Sequence, residues 1–378
     1  MAGPVYVLDD YYLAITLLVT IAYQLIFFSV AFTLKFDKLT DFAGGTNFAL
    51  LAALTLAFSS STSASHNDDD DGGGGGSARR PSARQIVASL LLIAWALRLA
   101  GFLLFRVLRT GRDARFDDKR DRFLPFLGFW VFQMLWVWAV SLPVTVLNSP
   151  AVQQQRSRTG NGGGSELLPF GTARDVAGVV LFALGFAMES VSDAQRFVFR
   201  ERGGSDRDRD RAAVLDRGLF YLSRHPNYFG EIILQFGIYT LCVSEAADGP
   251  VGGQAASALY ATVVGPVFLT ALLLFVSGLP LSERPGAKKR YEQGLDWEAY
   301  ARYLRRTSVL IPFPPRLYER VPVLLKRTLF LEFPMYVFDP AKHADGGPRA
   351  AEEERARDAA EARGDTAGAR QSGERLTG

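Results

Sequence analysis

Long apolar runs decide what this chain can become. A helix needs about 20 apolar residues to cross a bilayer. Runs near that length lie at 11–34, 46–60, 86–108, 122–147, 174–195, 227–244 and 256–281. They predict an all-α polytopic membrane helix bundle with about seven transmembrane helices. No Lys or Arg precedes the first run and no small-residue cleavage site follows it, so it reads as a retained anchor. The one cysteine, Cys242, lies inside a run, which excludes an intramolecular disulfide and suits an inert buried thiol.

Between the runs the composition changes. SSSTSASHNDDDDGGGGGSARRPSAR and QQQRSRTGNGGGSE are low-complexity loop inserts, placed at 61–84 and 150–168. The remainder of 1–342 is expected to form a single seven-span membrane domain, with 343–378 as a disordered tail. Net charge is only +3, but its distribution is uneven. With seven crossings, RVLRTGRDARFDDKRDR, RFVFRERGGSDRDRDRAAVLDR and the tail from Arg284 fall on one side. The Asp-rich insert, the Gln/Gly insert and SEAADGP fall on the other. The positive-inside tendency makes the basic side cytoplasmic, with the C-terminus there and the N-terminus lumenal. Most of these basic residues are accounted for by topology and attraction to anionic lipid.

Five polar clusters go beyond topology. The first is SRHPNYFGE at 223–231, at the cytoplasmic mouth of the sixth run. Pro226 suits the first helical turn, and Ser223 or His225 would cap it. The free N–H groups, Arg217, Arg224 and His225 make an anion site there. Asn227 and Glu231 share a helix face, with Glu231 about 6 Å deeper. An ionisable group at that depth is functional by default, or else pairs with an arginine to tie two helices. The second, ESVSDAQRFVFR, aligns Glu189, Asp193, Arg196 and Arg200 in one stripe, able to pair internally or to grip a polar ligand.

The third cluster follows WALRLAGFLLFR. Arg98 is embedded in an apolar run and Arg106, Arg109, Arg112 and Arg115 gather at its end, able to hold phosphates or to snorkel. The fourth runs from SERPGAKKR to YARYLRRTSVLIPF, with Glu283, Tyr300 and Tyr303; an interfacial amphipathic helix accounts for it equally. The fifth, KFDKLTDFAGG, carries Asp37 and Asp41 as loop carboxylates. All five lie on the expected cytoplasmic half, which argues for one polar, anion-binding site there. No Walker loop, dinucleotide GxGxxG unit, nucleophile elbow or nucleic-acid module appears. Three histidines and one cysteine make a zinc cluster implausible, so no metal is expected.

The run RGLFYLSRHPNYFGEIILQFGIYTL, with GLPLSERP and YARYLRRTSVLIPF, resembles the C-terminal domain of the steroid 5-alpha-reductase family, and most closely its DUF1295 branch. KFDKLTDFAGGTNF, LLIAWALRLAGFLLFR and GRDARFD resemble that branch's N-terminal half. The likeness covers about 10–340 apart from the inserts. Sterol C=C reductases and isoprenylcysteine carboxyl methyltransferases carry related blocks. The resemblance implies a seven-helix membrane protein of the endoplasmic reticulum holding NADPH from the cytoplasmic side. Asn227 and Glu231 would meet the nicotinamide half, and Glu189, Ser192 and Asp193 would match a cofactor-binding block. Arg98 and Arg109–Arg115 would match family arginines. A steroid-binding tyrosine aligns with Trp95, and the second-helix catalytic glutamate has no evident counterpart, Asp41 being the nearest acid.

The resulting expectation is an NADPH-dependent reductase of a conjugated C=C bond in a bilayer-borne lipid, steroid/sterol-like or enoyl. Glu231 and Asp41 are its catalytic candidates. The cofactor candidates are Arg98, Arg106, Arg112, Arg115, Glu189, Asp193, Arg196, Arg224, His225, Asn227, Tyr228, Glu231, Glu283, Tyr300 and Tyr303. The alternatives are an S-adenosylmethionine-dependent methyltransferase using His225, Tyr228, Glu283, Tyr300 and Tyr303, and a non-catalytic membrane protein on the same fold. The cationic sulfonium cofactor has no phosphate and no need of the arginine set.

Overall fold

A computed structural model describes residues 5–35, 39–60, 81–110, 122–160, 170–202 and 213–344. Asp37, Arg112, Arg115, most of the first expected insert, residues 161–168 of the second and nearly all of the tail lie outside them. Among the described residues the chain is all-helical, without a named strand. The long helices are α1 (Leu13–Thr33), α2 (Thr40–Ser60), α3 (Ala83–Thr110), α4 (Phe123–Leu147), α5 (Pro150–Gly160) and α6 (Ala173–Arg202). A short α7 (Leu219–Leu222) precedes α8 (Pro226–Ala247), α9 (Gly253–Ala261), α10 (Val264–Phe275), α11 (Leu279–Glu292) and α12 (Trp297–Arg306). Three short helices follow: α13 (Pro315–Tyr318), α14 (Val323–Thr328) and α15 (Pro340–His343).

Among the described residues, six helical stretches are long and apolar enough to cross a membrane: Leu13–Thr33, Thr40–Ser60, Ala83–Arg109, Phe123–Arg156, Ala173–Glu201 and Gly253–Glu292. The protein is a multi-pass membrane protein. The expected crossing at 227–244 is present as α8, 22 residues long, but is not among the six. Glu231, Gln235 and Glu245 dilute its hydropathy, and Gln235 and Glu245 are buried. The expected run at 256–281 is interrupted: Thr262 ends α9 and α10 starts at Val264.

The chain divides into two compact units, 1–186 with 231–270, and 187–230 with 271–378. In the first, α1 packs on α2 and α4, and α2 packs on α3 and α4. A membrane interior offers helices little hydrophobic drive to associate, so small residues and polar groups hold such bundles. Gly178 and Gly237 face each other where α6 meets α8; a Cβ on Gly237 would lie 2.7 Å from the Gly178 carbonyl oxygen. Gly237→Leu is expected to lose about 1–3 kcal/mol through overpacking, measurable as a lower Tm in detergent.

Polar groups fill the bundle interior. Gln133 Nε2 donates to Gln24 Oε1 at 2.9 Å and to the Thr40 carbonyl at 3.0 Å. Gln24 Nε2 donates to Asn47 Oδ1 at 3.0 Å. A buried ionic group lies elsewhere in the unit. Arg84 grips Asp175 with Nε and Nη2, each at 2.9 Å, and reaches Glu245 at 3.3 Å. Arg156 pairs with Glu245 at 2.8 Å.

These contacts correct both insert boundaries. Arg84, expected at the end of a loop, is 4% exposed inside α3. Residues 150–160 are helical, with Val152 and Gln153 buried. Apolar runs located the crossings, but short charged or Gln-rich stretches concealed helix whose polar side chains find partners inside. Asp41, expected in a loop, lies in the first turn of α2.

Candidate functional site

The second unit assembles much of the polar set. Residues 219–225 are clamped by 303–313. Arg224 N donates to the Ser308 carbonyl at 2.8 Å, and Phe313 N to the Leu222 carbonyl at 3.0 Å. Ser223 Oγ donates to the Leu310 carbonyl at 2.7 Å and accepts from His225 N at 3.1 Å. Tyr303 O–H donates to the Phe220 carbonyl at 2.9 Å. Pro226 then starts α8 without forfeiting a helical hydrogen bond, and the His225 carbonyl accepts from Phe229 N at 3.2 Å.

This framework aims Arg224 and His225 at one carboxylate. Arg224 Nη1 lies 2.6 Å from Glu283 Oε2, and His225 Nε2 lies 2.6 Å from Glu283 Oε1. The other Arg224 amino group bonds Glu332, whose second oxygen accepts from Tyr318 O–H at 2.8 Å. Arg224, His225 and Glu283 are 7%, 6% and 5% exposed, so the Arg224 and Glu283 charges depend on each other. Tyr228 stacks on His225 at 5.0 Å with the rings 6° apart.

A carboxylate gripped by a guanidinium accepts rather than donates, so His225 Nε2 carries the proton in this pair. Nδ1 is then an acceptor, buried and without a partner, as are Asn227 Oδ1 and the donor Arg224 Nε. Burial holds His225 below the usual imidazole value of 6.5, against the opposing pull of Glu283. Burial, then Glu283, pushes the Tyr300 phenol up to about 12, so it remains a donor. Burial also raises Tyr303.

The His225 shift has a testable sign. The unfolded chain takes up a proton near pH 6.5 that the folded site resists, so stability falls as pH drops below that point. His225→Gln should flatten this segment of the Tm–pH profile.

Arg224, Glu283 and Glu332 form the floor of a cleft of about 620 Å³. Trp297 and Phe338, edge to face at 5.3 Å, supply an aromatic wall. Arg305, Lys326 and Arg327 add positive charge. Carboxylates, stacking rings and cations in one cleft can take hydroxyls, a flat base and phosphates respectively.

Of the expected residues, Arg224, His225, Tyr228 and Glu283 meet directly. Tyr300 and Tyr303 adjoin them, 6.2 Å apart, with the Arg290 guanidinium over Tyr300. Arg196 lies over Phe220 at 5.0 Å, and Asn227 occupies the first turn of α8. Glu189 is 3% exposed and its carbonyl accepts from Ser192 Oγ; Asp193 lies one turn on, half-buried.

Arg98, Arg106, Asp41 and Glu231 belong to the first unit. There Arg98 rests on Phe102, and Arg106 pairs with Asp41 at 3.6 Å. Trp95, in the place of the expected tyrosine, is fully buried edge-on to Phe48. The sequence reading missed Glu332 and Tyr318; a lone acid within LFLEFP was the available signal. It also missed Gln24, Asn47 and Gln133, visible as amides inside apolar runs.

A family model described as "Protein of unknown function (DUF1295)" matches residues 27–307. No curated protein and no solved structure matches the chain.

Proposed function

For a chain that belongs to the DUF1295 family, we propose an integral-membrane oxidoreductase that uses NADPH to reduce a conjugated C=C bond of a lipid, steroid/sterol-like or enoyl. The observation supporting this reading is the cleft that combines Glu283, Glu332 and Asp339, an aromatic wall and the cations Arg305, Lys326 and Arg327, with His225 bonded to Glu283. A dinucleotide presents that combination of groups: phosphates, ribose hydroxyls, a flat base and a carboxamide. The orphaned Asn227 Oδ1 and His225 Nδ1 fit donors such as a carboxamide N–H₂.

Bound there, NADPH would supply the hydride. Arg305, Lys326 and Arg327 would face its phosphates and Glu332 a ribose hydroxyl. Asn227 would accept from the carboxamide, and Glu283 would hold His225 in its Nε2–H tautomer. Lipid substrate would enter from the bilayer. The family likeness favours the endoplasmic reticulum, with the N-terminus lumenal, the C-terminus cytoplasmic and α8 as a further crossing.

One observation favours methyl transfer from S-adenosylmethionine to a lipid or prenyl-cysteine. His225, Tyr228, Glu283, Tyr300 and Tyr303 lie together, and the Arg224 charge is spent on two carboxylates. The three further cations of the cleft have no role in that chemistry.

The test uses purified protein in nanodiscs, NADPH deuterated at the reactive ring carbon, and a panel of enone and enoyl lipids. Deuterium at the β-carbon of a saturated product is the expected result. Methylated lipid in a parallel S-adenosylmethionine incubation, with no deuterium transfer, would replace this reading with the second. Cofactor binding without turnover on any lipid would favour a non-catalytic role.

A further inference from the structure

Residues 315–329 present an unusual outer face. Leu324, Leu329 and Leu317 are 72%, 61% and 54% exposed, and Leu325 is also exposed. Scattered exposed leucines need no explanation, but here they share one short strap with Arg316, Arg320, Lys326 and Arg327. Glu319 is the only acid between Pro315 and Leu329. The other face of the same strap is committed to the protein: Val323, Lys326 and Arg327 line the cleft, and the Lys326 ammonium sits 4.5 Å from the Tyr318 ring centre.

Depth is fixed by the residues that follow. Phe333 stacks on Phe275 at 5.5 Å, and Tyr336 O–H donates to the Leu274 carbonyl. Leu274 and Phe275 end α10, the apolar part of the 253–292 stretch, before the charged α11. The strap is thus tethered at the level where that apolar helix stops. Trp297, Tyr291 and Phe338 pack together nearby, aromatic types that collect at membrane–water boundaries.

We propose that the 315–329 strap docks on the bilayer surface and recognises anionic phospholipid. Leu324, Leu325 and Leu329 enter the acyl-chain boundary, and Arg316 and Arg320 meet headgroup phosphates and carboxylates. Apolar insertion combined with basic flanks is the physics of interfacial segments. Because the inner face of the strap lines the cleft, docking also fixes one of the cleft walls. The inference stands apart from the identity of the cofactor.

The test is a full-length Leu324→Cys protein carrying a polarity-sensitive fluorophore. Cys242 is fully buried, so labelling is directed to the new thiol. The protein is placed in nanodiscs of phosphatidylcholine alone or mixed with phosphatidylserine, each with a trace of lipid spin-labelled on its acyl chain. Quenching by the acyl label is expected, stronger with phosphatidylserine. Arg316→Gln with Arg320→Gln, both outside the cleft, should lower that preference about five-fold per charge while leaving Tm unchanged. Absence of quenching in both mixtures would overturn the proposal. Equal quenching in both would overturn its anionic-lipid part. Copy-to-copy crosslinking through the Leu324→Cys thiol without lipid quenching would assign the surface to a second protein and overturn it as well.

Discussion

Glu283→Ala is expected to destabilise the protein by about 3–5 kcal/mol, among the largest single-residue effects in the chain. The carboxylate bonds two residues at once, Arg224 and His225, both at 2.6 Å. Removing it leaves His225 Nε2–H buried without an acceptor and Arg224 with Glu332 as its remaining ion-pair partner. Water entering from the cleft offsets only part of the loss, because all three residues are less than 10% exposed. Glu283→Gln separates two contributions. The amide oxygen still accepts from His225, but the charge is gone, so the loss should be smaller and confined to the Arg224 side. Thermal unfolding in detergent reads both variants; a loss below about 1 kcal/mol for alanine would show that the cluster carries little folding energy.

Arg84→Met should cost a similar amount, about 3–5 kcal/mol, in a separate part of the chain. It strands Asp175, fully buried, and leaves Glu245, 1% exposed, with Arg156 alone. Asp175 would retain Ser244 Oγ at 2.7 Å and the Gly171 and Thr172 N–H groups at 2.9 and 3.0 Å. Those neutral donors soften the loss without balancing a charge buried away from water. Arg84→Lys keeps the charge but not the two-pronged grip on Asp175, so it should recover part of the stability. The folded fraction of either variant should bind cofactor as wild type does, which distinguishes a structural brace from a site residue.

The fold was legible in the sequence because length and hydropathy are bulk properties. Among the described residues, six stretches long and apolar enough to cross a membrane overlap the expected runs, one of them interrupted at Thr262, and α8 departs because Glu231, Gln235 and Glu245 sit on an otherwise apolar helix. The site was legible where residues are close in sequence: Arg224, His225 and Tyr228 announced themselves around Pro226. Partners distant in sequence were not. Glu283 was named as a candidate, but its bridging role depends on α11 meeting the 219–225 segment, and Glu332 was missed for the same reason. Arg84 looked like the ragged end of a polar insert; its carboxylates lie 91 and 161 positions away. Charge in a membrane segment gains meaning only with its partner, and pairing is a property of the fold.

The central claim is that the cleft lined by Arg224, Glu283 and Glu332 takes a phosphorylated dinucleotide. The most direct measurement is an equilibrium titration of nanodisc-held protein with NADPH and, separately, with S-adenosylmethionine, using wild type, Asn227→Ala and Arg305→Gln. The account predicts NADPH binding, weakened about ten-fold by each change, since a lost hydrogen bond to a charged or amide group is worth about 1–2 kcal/mol. Binding of S-adenosylmethionine alone, indifferent to Arg305→Gln, would contradict it.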